Sequence, residues 1–409
     1  MSKFKILSVI SLALSLCLPF LAAADTGSPI AGIWRATAEV QGAEIPFRLQ
    51  LKGDGDAVRA NFFDGARPSN PSAEGAFHDG RLHLTFPSYA AVLDATVING
   101  RLEGAYTIRG AAHSTPIHAV RAPEPPAGGA APAIAGEWII PYKSPKGEVA
   151  WRLIVKQAGA SAEAAILRID GDTGTLNGRF DHGVFTLSHY AGERPALLEI
   201  TPQPDHTLKL VLKDGSGSRD LTAVRPAVAS RQGVAPTDPT RQTTVQNRAE
   251  PFRFAFRDLN GKEITNADVR FRHKVVVVDV MGSWCPNCHD EAPFLQTLYA
   301  KHHKDGLEVV ALDFEQRPEQ LTDPARLRAF IARYGLTYTV LLAGETKEVN
   351  AKLPQAVQLN AWPTTFFIGR DGLVKATHVG FTSPGSGPRD AETRRDVEHQ
   401  VETLLAQKS

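Results

Sequence analysis

Cysteine is scarce in this chain: three of its 409 residues are cysteine, and one of them, Cys17, lies in an apolar run near the N-terminus. Cys285 and Cys288 are left for the rest of the protein. A disulfide between residues three apart closes a tiny loop and restricts the unfolded chain little. The scarcity therefore excludes a scaffold held together by disulfides and favours a chemical role for these two thiols.

Excess charge is also lacking, because 45 lysines and arginines are balanced by 44 aspartates and glutamates. Such a balance gives no net attraction for nucleic acid or for an anionic membrane, so we predict neither as a partner. Hydrophobic residues make up 43% of the chain, as expected of a protein with several soluble domains, each with its own core.

The N-terminus has the features of an export signal. Two lysines precede an apolar run over residues 6–21, and three alanines supply the small residues that signal peptidase needs. We predict a signal peptide over residues 1–24 and a periplasmic mature chain. The apolar run is short for a membrane span, so a retained anchor is the alternative, and we expect no stable membrane insertion after cleavage.

The first half of the chain repeats itself with one offset of 104 residues, the distance from Ile30 to Ile134. The matching segments are 30–34 with 134–138, 47–49 with 151–153, and 119–121 with 223–225. Alternating apolar residues and Asn-Gly or Asp-Gly pairs predict short antiparallel strands joined by tight turns.

We therefore predict two duplicated all-β modules, small barrels or sandwiches, over residues 27–122 and 132–226. A stretch rich in proline, glycine and alanine over 123–132 would join them. A polar, helix-poor linker over 227–248 would follow. The modules offer no cysteine and no spaced set of metal ligands, so a scaffold or partner-docking role is the default expectation.

Residues 249–409 have a different pattern. The β-branched run Val275 to Val280 predicts a strand buried on both faces, and an amphipathic helix is expected to follow the cysteines and to end at Gly306. A second buried strand, a second helix, a hairpin and a last helix come next. This order predicts an α/β thioredoxin-like domain.

The spacing of the cysteines predicts a redox pair. Cys285 at the start of the helix would face unpaired backbone N–H groups, which favour its thiolate, so it is the predicted attacking thiol. Cys288 lies nearly one helical turn later and is the predicted resolving thiol. The reversible Cys285–Cys288 disulfide would be the redox centre, and we predict no other cofactor.

Asp279 interrupts the apolar strand six residues before Cys285. A carboxyl group in such a strand is expected to have a raised pKa, and it could accept the proton of the resolving thiol. We therefore predict a catalytic role for Asp279.

Two motifs resemble the TlpA/ResA-like branch of the thioredoxin superfamily, over residues 249–409 only. They are Ser283-Trp284-Cys285-Pro286-Asn287-Cys288 and Trp362-Pro363-Thr364-Thr365-Phe366-Phe367. The resemblance implies thiol-disulfide oxidoreductase activity, a cis Pro363 packed against the cysteines, and a catalytic Glu291 beside the thiols. The substrate-binding residues that it implies are Trp284, Trp362, Pro363 and Thr364.

The resemblance also implies partners and a direction. Protein thiols and disulfides would be the substrates. Pro286-Asn287 lacks the central histidine of strongly oxidising relatives, and Asp279 resembles the buried acid of reducing ones, so a reductase is expected. Such an enzyme would draw electrons from a membrane thiol-transfer protein.

Two alternatives remain open. Cys285 to His289 also spells Cys-x-x-Cys-His, the attachment signature of a c-type haem, for which His302, His303 or His378 could be a distal ligand. The two thiolates with His289 could also begin a copper or zinc site. A second cysteine pair is lacking, and we predict no metal site.

Overall fold

The computed structural model describes residues 28–121 and 130–407. The predicted signal peptide, residues 1–24, and most of the predicted connection 123–132 lie outside the described residues. Within the described part of the chain, no helix is both long and apolar enough to cross a membrane.

Nine antiparallel strands form the first sheet. They are β1 (Gly32–Val40), β2 (Ala43–Lys52), β3 (Arg59–Asp64), β4 (Arg67–Pro71), β5 (Glu74–His78), β6 (Arg81–Phe86), β7 (Ala91–Ile98), β8 (Arg101–Ile108) and β9 (Thr115–Val120). Their order is β4-β3-β2-β1-β9-β8-β7-β6-β5. Gly55 bridges Phe77, and the backbone N–H of Val58 donates to Gly75 O, so the sheet curls back toward its far edge.

A second sheet of nine strands follows. They are β10 (Gly136–Pro141), β11 (Ala150–Ala158), β12 (Ser161–Arg168), β13 (Gly171–Asp172), β14 (Leu176–Asp181), β15 (Val184–His189), β16 (Ala196–Pro202), β17 (Leu208–Asp214) and β18 (Gly217–Ala223). Eight run in the order β10-β11-β12-β14-β15-β16-β17-β18, and β13 pairs with β12. Ile139 and Val224 exchange two 2.8 Å backbone hydrogen bonds, which bring the first and last strands together.

Each sheet encloses a core that contains a tryptophan. Trp34 is buried, its indole N–H donates to the carbonyl oxygen four residues earlier at 2.9 Å, and the guanidinium of Arg121 lies over its ring. Trp138, 104 positions later, is buried, makes the same hydrogen bond at 2.8 Å and lies under Arg225. Both rings therefore belong to the cores of their sheets.

The segment 227–248 has little regular structure. It contains the end of helix α1 (Pro226–Arg231) and the short strand β19 (Thr244–Val245). Proline is favourable at the first position of a helix, where its missing N–H would have no partner. The buried Gln242 side chain donates to Lys146 O at 2.7 Å, so the segment is packed against its neighbours.

A seven-stranded mixed sheet forms the C-terminal region, with a short strand pair beside it. Its strands are β20 (Ala255–Asp258), β21 (Glu263–Thr265), β22 (Val275–Met281), β23 (Leu307–Glu315), β24 (Thr339–Glu345), β26 (Thr364–Ile368) and β27 (Val374–Val379), and β25 (Ala356–Val357) pairs with β19. The order is β21-β20-β24-β23-β22-β26-β27, with β22, β23 and β24 parallel.

The helices of this region are α2 (Pro286–His302), α3 (Glu319–Thr322), α4 (Ala325–Tyr334), α5 (Val349–Lys352) and α6 (Pro388–Ala406). Every residue of β22 is buried, as the β-branched run predicts. Gly306 and Gly335 have positive φ, 100° and 58°, where the chain leaves α2 and α4. The molecule is thus an all-β region followed by a thioredoxin-like α/β region; the β20–β21 hairpin and β24 are elements that the sequence pattern did not predict.

Candidate functional site

The two thiols lie where β22 gives way to α2. Cys285 is the N-cap residue of α2, and its Sγ accepts a 3.3 Å hydrogen bond from the backbone N–H of Cys288. Both cysteines are free thiols, with exposed fractions of 3% and 1%. The backbone N–H of Cys288, in the first turn of α2, therefore points at Cys285 Sγ.

The segment before β26 lies against Cys285. The Trp362–Pro363 peptide bond is cis, as the resemblance implies, and Cys285 Sγ donates to Trp362 O at 3.7 Å. Trp284 and Trp362 are half-buried, with ring centroids 5.8 Å apart. Thr364 is fully buried, and its hydroxyl donates to Ala361 O at 2.8 Å. The structure thus brings all four predicted substrate-binding residues to the dithiol, but the Thr364 side chain faces inward.

Two buried carboxyl groups lie on the inner side of the dithiol. Asp279, on β22, is 3% exposed, and Glu291, on α2, is 0% exposed. Thr365 Oγ1 donates to Glu291 Oε1 at 3.0 Å. Among the described residues, nothing donates a hydrogen bond to Asp279 Oδ1 or Glu291 Oε2. Glu291 is therefore a buried acid near the thiols and not a solvated carboxylate of the first helical turn.

Burial is the main influence on the pKa values of Asp279, Glu291 and Cys288. It raises the pKa of Asp279 to about 8, and it raises the pKa of Glu291 well above its usual value, with the charge of Asp279 adding to the effect. Burial is also the main cause of the strongly raised pKa of the Cys288 thiol, to which Cys285 and Asp279 contribute. Near neutral pH the inner side therefore holds protons, and Cys288 needs a nearby base before it can attack.

A buried polar network fixes the loop that leads into Cys285. The backbone N–H of Ser283 donates to Asp313 Oδ1 at 2.9 Å, and the Ser283 hydroxyl donates to Glu315. Arg326 pairs with Glu315 and donates to Ser283 Oγ at 2.9 Å. Because these groups are buried and mutually bonded, they hold the start of α2 in one position.

The outer side of the dithiol is covered by the second β sheet. The side-chain amide of Asn287, between the two cysteines, donates to Asp170 O at 2.5 Å. Gly171 forms a parallel bridge with Phe381, just beyond β27. Ile169 packs against Ala361, which precedes the cis proline segment. The β12–β13 turn therefore touches both elements that flank Cys285.

Further contacts tie both β sheets to α2. Arg194, in the turn between β15 and β16, forms a 2.5 Å ion pair with Asp290. Tyr89, in the turn between β6 and β7 of the first sheet, stacks on the His289 ring with a centroid distance of 4.2 Å. The helix that carries the dithiol is thus packed between its own sheet and the two β sheets.

Comparison with known proteins identifies the C-terminal region. The AhpC/TSA family model matches residues 245–377. Thiol-disulfide oxidoreductase ResA of Bacillus thuringiensis (strain Al Hakam) is 32% identical over 127 residues, 31% of this chain and 66% of the relative. ResA of Bacillus thuringiensis subsp. konkukian (strain 97-27) is 31% identical over 137 residues, 33% of this chain and 70% of the relative. The chain belongs to the ResA-like thiol-disulfide oxidoreductases.

A solved structure is also similar to the ResA-like region. A thiol:disulfide interchange protein DsbE from Chlorobium tepidum, described as putative, is 26% identical, with a TM-score of 0.31. The match covers 40% of this chain and 99% of that structure.

His289 is not available as a ligand in the ResA-like region. Its Nε2 lies 3.0 Å from Ser283 O, to which it donates, and its Nδ1 accepts from the Tyr334 hydroxyl at 2.8 Å. Burial lowers the pKa of the ring well below its usual value, so the ring is neutral. With both nitrogens engaged, the haem reading of Cys-x-x-Cys-His is not favoured.

A metal site at the dithiol is not favoured either, because it lacks further ligands. Among the described residues, the group of three side chains that could hold a metal ion is His302, Glu398 and Glu402, at the opposite end of α2. Lys301 Nζ already bonds both glutamates, at 2.6 and 3.1 Å. The ammonium group of Lys301 therefore already supplies the positive charge in that cluster.

Sequence reasoning missed two parts of the ResA-like site. Asp313 and Glu315 interrupt an apolar strand in the way that Asp279 does, so the same argument could have singled them out. The contacts of Asp170 and Arg194 give no signal in the sequence, because both residues lie in turns and meet α2 only through tertiary packing.

Proposed function

We propose that this protein is an exported thiol-disulfide oxidoreductase that exchanges disulfides with protein substrates through the Cys285-Pro286-Asn287-Cys288 dithiol. The observation that carries the proposal is the placement of the thiols. Cys285 Sγ accepts a hydrogen bond from the Cys288 N–H in the first turn of α2, and the charge of Asp279, whose Oδ1 has no hydrogen-bond partner among the described residues, acts on the Cys288 thiol. This is an asymmetric pair with one nucleophile and one proton-holding partner.

The chemistry proceeds in two balanced steps. The Cys285 thiolate attacks one sulfur of the substrate disulfide, forms a mixed disulfide and releases the other substrate sulfur as a thiolate. Asp279 or Glu291, in the fraction of molecules in which that carboxyl group is ionised, then takes the proton of Cys288, directly or through water, and Cys288 attacks Cys285 Sγ. Because the pKa of Asp279 is about 8, its ionised fraction grows as the pH rises toward 8. The Cys285–Cys288 disulfide forms, the second substrate thiolate leaves, and the substrate has gained two electrons.

We further propose that the enzyme acts as a reductase in the periplasm and is recharged by a membrane thiol-transfer protein. Asn287 stands where strongly oxidising relatives carry a histidine, and the buried carboxyls keep the Cys288 proton available. The N-terminal leader supports export. A measured potential near −270 mV, as in thioredoxin, would agree with this direction, and one near −120 mV would overturn it.

The two β sheets are proposed to be duplicated modules that dock partners or the dithiol domain. Two residue pairs between the first and last strands of the sheets support the duplication. Arg35 pairs with Val120 in the first sheet, and Ile139 bridges Val224 in the second, each 104 positions later. Two hairpins likewise correspond, Asp64↔Arg67 between β3 and β4 and Arg168↔Gly171 between β12 and β13.

Single cysteine variants of the mature chain test the enzymatic proposal. Cys285→Ser should reduce insulin no faster than the uncatalysed background, whereas Cys288→Ser should accumulate mixed disulfides with its substrates. Turnover by the Cys285→Ser variant would contradict the assignment. Trapping partners on Cys288→Ser in the native host would identify the substrates.

A further inference from the structure

The segment Ile169–Gly171, here named the cap, lies on the surface through which Cys285 would meet a substrate. Its middle residue accepts the hydrogen bond from Asn287, and its last residue bridges Phe381. Its first residue packs with Ala361 and Val379. The cap therefore contacts the residue between the two cysteines, the cis proline segment and the end of β27.

The cap fits closely against the dithiol region because of two glycines. Gly171 has a φ of 126°, and a Cβ placed there would lie 2.6 Å from Asn287 Nδ2 and would overlap Phe381 O. Gly380 has a φ of 78°, and its Cβ would lie 2.7 Å from the carbonyl carbon of Asp170. A side chain at either position would push the cap away.

Anchors on both sides hold the cap. The next residue, Asp172, is buried, and its Oδ2 accepts from Ser383 N at 2.7 Å, Ser383 Oγ at 3.0 Å and Ser386 Oγ at 2.5 Å. On the other side, Lys146 forms an ion pair with the Asp170 carboxylate. The cap is thus held in place by hydrogen bonds on one side and by an ion pair on the other.

The position of the cap determines what can reach Cys285. With the cap in place, Cys285 is 3% exposed and Asn287 is 9% exposed. A polypeptide that lies beside the site needs roughly the 4.8 Å spacing of a neighbouring strand, and the cap occupies this space. A small disulfide needs much less width at the reacting sulfur.

We propose that Ile169–Gly171 is a specificity-determining cap that restricts the dithiol against polypeptide disulfides more strongly than against small ones, and that a protein substrate must displace it. This inference rests on the proposed oxidoreductase function. It assigns to the second β module a direct role in substrate selection.

A glycine pair provides the test in the full mature chain. Gly171→Ala should displace the cap. Gly217→Ala is the matched control, because Gly217 also has a positive φ, 111°, and has nothing within 4 Å of a Cβ. The kcat/KM for insulin and for 5,5′-dithiobis(2-nitrobenzoate) is measured for both variants and for the unmodified protein.

The cap predicts that Gly171→Ala raises the ratio of the insulin kcat/KM to the small-disulfide kcat/KM about tenfold, a change of about 1.4 kcal/mol. The reduction potential and the small-disulfide rate should change much less, and Gly217→Ala should leave the ratio unchanged. The cap proposal is overturned if the ratio of the two kcat/KM values is equal in all three proteins. It is also overturned if this ratio rises equally in Gly171→Ala and Gly217→Ala.

A second measurement covers a Gly171→Ala variant that does not fold. Asp172→Asn weakens the anchor at Ser383 and Ser386, and alkylation of Cys285 by a bulky maleimide should then accelerate more than alkylation by iodoacetamide. Equal acceleration of both reagents, or of neither, overturns the cap. If the unmodified protein reduces neither disulfide, the proposed function fails, and the alkylation ratio still decides whether the cap exists.

Discussion

The two sides of the dithiol are built by different parts of the molecule. The inner side consists of residues from the thioredoxin-like region, with Asp279 and Glu291 buried near Cys288. The outer side consists of turns from the β sheets, with Asp170 at Asn287 and Arg194 at Asp290. The inner side holds buried carboxyl groups, and the outer side holds polar turns that contact the first turn of α2.

The two β sheets also differ in what the β3–β4 hairpin of the first and the β12–β13 turn of the second contact. In the first sheet, Asp64 at the end of β3 accepts a 2.7 Å hydrogen bond from the backbone N–H of Thr175 in the second sheet. In the second sheet, the turn after Arg168 contacts the dithiol region. The β3–β4 hairpin thus contacts the second sheet, whereas the β12–β13 turn contacts the dithiol region directly.

On the outer side, the largest loss of stability is expected when the Arg194 side chain is removed. Arg194→Ala leaves the partly buried Asp290, and the buried Asp172 at 3.7 Å, without their cation, so we expect a loss of up to about 3 kcal/mol of unfolding free energy. Burial already raises the pKa of Asp172 to about 6 and that of Asp290 above its usual value. Without the cation both values rise further, so the loss should be larger at pH 8 than at pH 5.

Urea unfolding at the two pH values measures this effect. Arg101→Ala, which removes an exposed ion pair with Glu103, is the control and should cost at most about 1 kcal/mol. A loss for Arg194→Ala that is as small as the control would mean that the β sheets are not fastened to α2 by charge.

Asp279→Asn tests the inner side, and we expect it to stabilise the protein, whereas Arg194→Ala destabilises it. The folded pKa of Asp279, about 8, lies above the unfolded value near 4, so the native state holds a proton that the unfolded state releases between these pH values. Stability therefore falls as pH rises from 4 to 8, and the amide removes this dependence. We expect Asp279→Asn to be more stable at pH 8, on the order of a few kcal/mol, with little advantage at pH 4.

The measurement is denaturant unfolding across this pH range, combined with the rate of mixed-disulfide resolution. Asp205→Asn, on an exposed turn, is the control and should show no advantage that grows with pH. Resolution should slow in Asp279→Asn if this carboxyl takes the Cys288 proton. An unchanged resolution rate would leave Glu291 as the acceptor.

Lys146→Ala gives the smallest expected effect and tests the cap alone. The ion pair of Lys146 with Asp170 is partly exposed, so its loss should cost between about 0 and 1 kcal/mol of stability. The ratio of insulin to small-disulfide reduction should rise slightly. Lys375→Ala removes a similarly exposed ion pair, with Asp371, and should leave this ratio unchanged.

The sequence predicts the inner side far better than the outer side. The β22 strand, the start of α2 and the positive-φ residues Gly306 and Gly335 follow from local patterns whose physical causes act over a few residues. The cis Pro363 and the buried Glu291 follow from the family resemblance. These features depend on the polypeptide within one βα unit or on two short motifs.

The outer side could not be predicted, because its contacts join residues far apart in sequence. Asp170 and Asn287 are 117 positions apart, and neither belongs to a periodic pattern that points to the other. Arg194 looks like an ordinary charged turn residue until packing buries it against Asp290. Polar turns are usually solvated, so only the docking of the β sheets on the dithiol region gives these residues a role.

The position of His289 in the folded protein affects when a haem-attaching enzyme could reach the cysteine motif. Cys285 to His289 spell the attachment signature of a c-type haem, which uses the two thiols and the imidazole. Folding buries the thiols and commits the ring to Ser283 and Tyr334. Haem attachment to the unfolded chain and folding would therefore compete, and a slowly folding variant would stay open to mistaken haem attachment for longer than the normal chain.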